Sequence, residues 1–185
     1  MLWIVMLTPS ASALPVPSQE PIDDSGKGVL RQAIKQLLDA DRVNEAQDQV
    51  KAEVMVRGET AETLFLEAQI LFKQKQFKDS IQRVQRSLTL EQRDPEAYKL
   101  LAFNAVTLNR MDIVEPALKA ALQLSPTDFI IHFHLGLLYY TTNRFSMAES
   151  EFQTVTRLNP TYMKGYDLLG LAQEELQNDK VVIET

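Results

Sequence analysis

No cysteine occurs in the 185 residues of this chain, and histidine and glycine are scarce, with two and six copies. Without cysteine there is no disulfide framework, no thiolate metal ligand and no cysteine nucleophile. Two histidines leave little for a zinc site or a histidine-based triad. His132 and His134 lie two apart in a helical pattern, so they point to different faces and cannot jointly hold a metal. No glycine-rich phosphate loop, nucleophile elbow or HExxH motif is present. Carboxylate pairs such as Glu174 and Glu175 fall at outward helical positions with no desolvating pocket legible around them. The expectation is a chain that is not an enzyme and carries no cofactor and no metal. A net charge of −6 argues against a surface for nucleic acid or anionic lipid.

What is present begins with a short apolar run, Leu2 to Leu7, followed by Ala11-Ser12-Ala13. That pattern reads as a secretory signal peptide over residues 1–13, cleaved after Ala13, which would make the protein periplasmic or secreted. The run is shorter than the about 20 residues of a membrane span, so no stable span is expected. No Lys or Arg precedes it, and the alternative is the unstructured N-terminus of a cytoplasmic protein. Residues 14–26 hold Pro15, Pro17 and Pro21 with Glu20, Asp23 and Asp24 and no base, the composition of a disordered linker.

From residue 27 the sequence repeats itself with a 34-residue period, in units 27–60, 61–94, 95–128 and 129–162 and a partial unit 163–185. The eighth place of the unit reads Ile34, Ala68, Ala102, Gly136 and Gly170, and the twentieth Ala46, Ser80, Val114 and Ala148. Bulkier residues stand at the seventeenth (Val43, Phe77, Met111, Phe145), the twenty-fourth (Val50, Val84, Leu118, Phe152) and the thirtieth (Val56, Leu90, Leu124, Leu158). Apolar residues recur every three or four positions within each unit, so each is expected to form two amphipathic helices. Small residues at the eighth and twentieth places let the helix backbones approach, and the large ones at the seventeenth and twenty-fourth fill the space beside them. Polar turns divide the helices of a pair, for instance Asn109-Arg110 and Thr142-Asn143-Arg144, while Pro95, Pro126 and Pro160 mark the joins between pairs. Pro116, inside the second helix of the third unit, is expected to delay or bend that helix.

This arrangement resembles the tetratricopeptide repeat family. The fourth unit carries Leu135, Gly136, Tyr139, Ala148, Phe152 and Pro160 at the family's places, with His132 in place of its Trp. The third unit offers Tyr98, Leu101, Ala102 and Pro126, and the fifth Tyr166, Leu169 and Gly170; the first two are more degenerate, with Ala33 and Glu67 where Leu is usual. The resemblance implies an all-α, right-handed superhelical solenoid of antiparallel helix pairs, working as a non-catalytic protein–protein interaction scaffold. Its concave wall would come from the first helix of each pair. On that reading Thr185 falls midway through the second helix of the fifth unit, before the polar-faced cap a solenoid needs, as in a fragment of a longer protein.

The family's geometry turns the second, fifth, ninth and twelfth places toward the groove. Those places hold Phe65, Gln69 and Phe72 in the second unit, Lys99, Phe103 and Val106 in the third, and Phe133, Leu137 and Tyr140 in the fourth. So many aromatic rings on one wall point to a groove for an apolar segment of a protein or peptide partner. The other reading of the same rings is packing against neighbouring helices, or self-association. Some family members grip a C-terminal carboxylate with Lys and Asn at fixed groove places, but neither the fifth nor the ninth places here supply the Asn. The bases between Lys73 and Arg93, against the acids of residues 161–185, would either dock one protomer's end on another or form a solvated outer face. Alternatively, the chain is the recruiting N-terminal part of a larger enzyme or envelope assembly whose active domain lies beyond residue 185.

Overall fold

The computed structural model describes the backbone of residues 25–183 and the side chains of residues 28–178; within them are nine α-helices and no strand. In chain order they are α1 (Ser25–Asp39), α2 (Val43–Arg57), α3 (Ala61–Lys73), α4 (Phe77–Leu90), α5 (Pro95–Thr107), α6 (Met111–Leu124), α7 (Phe129–Thr141), α8 (Phe145–Leu158) and α9 (Met163–Ile183). Each helix packs on the one before it and the one after, and long-range contacts otherwise join only first helices of neighbouring pairs, such as α1 with α3. The core is therefore a line of contacts, an all-α solenoid of helix pairs. Residues 1–24, which hold the expected signal peptide and most of the linker, lie outside the described residues, and the last two linker residues, Ser25 and Gly26, are already helical.

One backbone device makes every pair. Asp41, Lys75, Asn109 and Asn143 have positive φ, between 55° and 63°, and recur at the 34-residue period. In each case the next residue donates its N–H back to the preceding helix: Arg42 to Leu37, Gln76 to Leu71, Arg110 to Ala105 and Arg144 to Tyr139, at 2.8–2.9 Å. This is the Schellman closure, in which a left-handed residue satisfies the orphan carbonyls and reverses the chain. Between pairs the signal is a side-chain cap. Asp94 accepts from the N–H of Glu96 and Ala97, Asp128 accepts from Ile130, and Thr60 and Thr63 form a reciprocal capping box.

The small residues do what their places in the period require. Ala46, Ser80, Val114 and Ala148 are all buried, as are Ile34, Ala68, Ala102 and Gly136. Ser80 Oγ donates to the Ala68 carbonyl at 2.7 Å, a contact that only closely approaching helices permit. At Gly136 an added Cβ would sit 2.6 Å from the Phe152 ring. The first pair is looser, because Ile34 stands where the other pairs have Ala or Gly and holds α1 and α2 further apart.

Three expectations are corrected. Pro116 does not delay its helix: α6 begins at Met111 and continues past it, and the exposed proline leaves its unpaired carbonyl neighbour to water. Met111 is exposed, so the seventeenth place does not fill the seam in the third unit. The fifth unit shows no turn within residues 163–183 but one continuous helix of 21 residues. Gln177 occupies the place of the four positive-φ residues. A left-handed residue costs about 1–2 kcal/mol, which packing of a second helix offsets in the four earlier pairs.

Gly136→Ala should lower stability by about 1–3 kcal/mol, because the Phe152 ring is fully buried and cannot yield. Gly170→Ala, where a Cβ meets nothing within 4 Å, should raise it by up to about 1 kcal/mol. Denaturant unfolding of the two variants checks the contrast.

Candidate functional site

A groove of about 540 Å³ crosses α1, α3 and α5, the first helices of three consecutive pairs. Leu38, Phe72, Leu100 and Phe103 supply its apolar surface, and Lys35, Asp39, Gln69, Lys73, Glu96 and Lys99 its polar rim. Gln69, Phe72, Lys99 and Phe103 were expected on this wall, and the fold brings them together. Phe72 meets Phe77 edge-on at 5.6 Å between ring centres, and Phe103 lies 4.5 Å from the ring of His134. Both aromatic groups are thus held from behind and half exposed in front.

The remaining expected residues are placed otherwise. Phe65 and Phe133 are only 2% and 9% exposed and leave little surface for a ligand. The guanidinium of Arg31 lies 4.3 Å over the Phe65 ring, and Phe133 packs among Phe152, Tyr162 and His134. Leu137 and Tyr140 are half-buried, the latter against Phe145, and Val106 is exposed; none of the three lines the groove. Lys35 and Leu38 were overlooked although they hold the ninth and twelfth places of the first unit, the register that selected Gln69 and Phe72.

The charges of the rim are met within the chain. Lys99 bonds Glu96 at 2.6 Å and Asp128 at 2.8 Å, Lys35 bonds Asp39 at 3.0 Å, and Lys73 reaches Asp41 at 3.3 Å. Burial works against the Lys99 charge, but its bonds to Asp128 and Glu96 outweigh that and raise its pKa. A lysine so held stays protonated and is no base or nucleophile. Burial likewise opposes the Asp128 charge, yet Lys99 and the N–H groups of Ile130 and Ile131 hold its carboxyl below the usual range. His134 is pushed the other way for a base: burial first, then the nearby Lys99 charge, lower its pKa against a weaker pull from Asp128.

Beside the groove, Arg31 ties α1 to α3 and to the residue that caps α5. Its Nε and Nη2 donate to Glu62 at 2.6–2.9 Å, and Nη2 donates to Asp94 at 2.6 Å, where Asp94 also caps α5. Both carboxylates are buried, so this fork is the partner that makes their burial tolerable. Among the described residues no group of three or more His, Cys, Asp or Glu is arranged to hold a metal, and no helix is long and apolar enough to cross a membrane.

Paired helices stacked in register, with a groove along their first members, define a helical-repeat interaction fold. Residues 130–162, the fourth unit, match the family model described as Tetratricopeptide repeat. The Cell division cycle protein 27 homolog of Caenorhabditis elegans is 28% identical over 88 residues, a match taking in 48% of this chain and 11% of that protein. Among solved structures, MamA from Desulfovibrio magneticus RS-1 is similar with a TM-score of 0.69 at 18% identity, covering 85% of this chain and 89% of that one. Cut9 from an APC/C hetero-tetramer with Hcn1 gives 0.70 at 17% over 79% of this chain and 29% of its own. The first such domain of Spaghetti (RPAP3), bound to the HSP90 peptide SRMEEVD, gives 0.61 at 16% over 64% and 94%. The fourth unit is thus a tetratricopeptide repeat, and the fold of the described residues is that of a helical-repeat solenoid.

Because the His134 pKa is lowered on folding, the stability it contributes is complete above the ordinary imidazole value near 6.5 and is lost as pH falls below it. The Asp128 contribution is lost only further down, below the carboxylate range. Melting temperature measured against pH should therefore decline in two stages, and His134→Phe should remove the first while leaving the second.

Proposed function

We propose that the groove across α1, α3 and α5 receives an extended or helical apolar segment of a partner protein, so that the chain is a non-catalytic scaffold. The observation that carries this reading is the pairing of Phe72 and Phe103 on the wall of one groove whose charges are already met. An apolar segment gains from burying those rings, whereas a charged one would have to displace existing ion pairs. For the same reason a peptide ending in a free carboxylate, such as the one bound to the Spaghetti domain, is disfavoured: Lys99 already has two carboxylates, and the Asn of that grip is absent.

Selection from a displayed peptide library should return sequences rich in Leu, Ile and aromatic residues. Phe72→Ser with Phe103→Ser should weaken the selected peptide about 100-fold or more, as loss of two buried anchors does, while circular dichroism stays that of the folded chain. Binding that survives in proportion to the folded fraction would defeat the reading.

The curated relative is far longer than its matched segment, and this favours a second reading, in which the repeats recruit partners for a larger assembly. We further propose export through residues 1–13. N-terminal sequencing of the protein from its source cell should begin at Leu14; a chain that retains Met1 would contradict export.

A further inference from the structure

One place in the repeat changes its chemistry from unit to unit. The seventh holds Leu101 and Leu135 in the third and fourth units, both buried, but Glu67 in the second. No hydrogen bond among the described residues meets the Glu67 carboxylate, and its Oε2 is out of contact with solvent as well. The nearest base does not meet it squarely: Arg83 Nε stands 3.3 Å from Oε2 without the alignment of a hydrogen bond, while Nη1 of the same side chain donates to Glu59 at 3.3 Å. A buried carboxylate oxygen left in this way costs stability unless a donor from elsewhere serves it.

Glu67 lines a cavity of about 160 Å³ between α2, α3 and α4, which shares no residue with the groove. At about 30 Å³ each it has room for about five waters, and it falls short of the about 300 Å³ at which pockets for whole drug-sized ligands begin. One side chain, or a molecule of that size, is what fits. Val50, Ile70 and Leu71 make part of its lining apolar, and the side-chain amides of Gln47 and Gln74 border it with no hydrogen bond of their own among the described residues. Charge narrows the choice. Lys51 and Arg83 stand here with Glu67, so an entering cation meets two bases and an entering anion meets the unbonded carboxylate. A neutral group that both donates and accepts avoids both costs, with its N–H turned to Glu67 and its carbonyl to Lys51 or a glutamine amide. We propose that this cavity is a binding site for a primary carboxamide on a short apolar stem, either free glutamine or the glutamine side chain of a partner protein. It is separate from the groove and does not depend on what the groove binds.

The test is titration of the full chain with propionamide, propionate and propylammonium, which are similar in size and differ in the head group, read by backbone amide chemical shifts. Propionamide should shift the resonances around Glu67 and Gln74 saturably with a millimolar dissociation constant, and the other two should bind about tenfold or more weakly. Glu67→Leu, which supplies the residue of the third and fourth units, should abolish the propionamide shifts and leave the melting temperature unchanged or higher, because an unbonded carboxylate is removed. Tighter binding of N-acetyl-glutamine N-methylamide than of free glutamine assigns the site to a partner's side chain, and the reverse order assigns it to the free amino acid. Saturation by none of these molecules, as in a cavity that holds water alone, overturns the proposal. So does propionate or propylammonium binding as tightly as propionamide, or binding that Glu67→Leu leaves intact.

Discussion

The close approach of the two helices in each pair is the constraint from which the rest of this molecule follows. Where the eighth place is Ala or Gly and the twentieth Ala, Ser or Val, the backbones come near enough for Ser80 Oγ to reach the Ala68 carbonyl and for the Phe152 ring to lie on Gly136. Bulky Val84, Leu118 and Phe152 then fill the seam completely. Four left-handed turns at identical intervals deliver the second helix to that contact, and the contact in turn offsets the cost of the turns. Remove the small residue, as Ile34 does in the first pair, and the two helices loosen.

The period made this architecture readable from sequence. Four copies in unbroken register placed every turn, and the polar joins between pairs proved to be caps at Thr60, Asp94 and Asp128. The readable part ended where a residue departs from its equivalents. Pro116 looked like a helix breaker by its type, yet its exposure leaves the freed carbonyl to water. Phe65 was assigned to the groove by register alone; it lies in the buried core with the guanidinium of Arg31 over its ring, and that arginine reaches acids two helices apart. A bond between residues 31 and 94 leaves no periodic trace. The same holds for Asn104, which at a place held by Ile70 and Leu138 in the units on either side donates to Ser80 Oγ and ties α5 to α4.

Electrostatics narrows the use of the surface. Acids and bases in the groove are matched pair by pair, and the shifts of Lys99 and Asp128 are both in the direction that keeps the pair ionised. Such a rim fixes side chains and excludes water more than it attracts charge, so recognition falls to Phe72, Phe103, Leu38 and Leu100. Of the bases between Lys73 and Arg93, Arg83 and Arg86 pair with Glu59 and Lys73 with Asp41, whereas Lys75, Lys78 and Arg93 have no ion pair among the described residues. On α9 Lys164 and Glu174 are exposed without an ion pair among the described residues, and Met163, Tyr166 and Leu171 are exposed while Ala172 is buried.

A core built as a line of pairwise seams has no single event that opens all of it. Native-state hydrogen exchange, resolved helix by helix, tests this most directly. Slowest exchange is predicted in α3 to α8, where every seam is closed on both sides, with faster exchange in α1 and α2 and along the uncovered face of α9. One common rate for all nine helices, rising together with denaturant, would contradict it and point to a single global core.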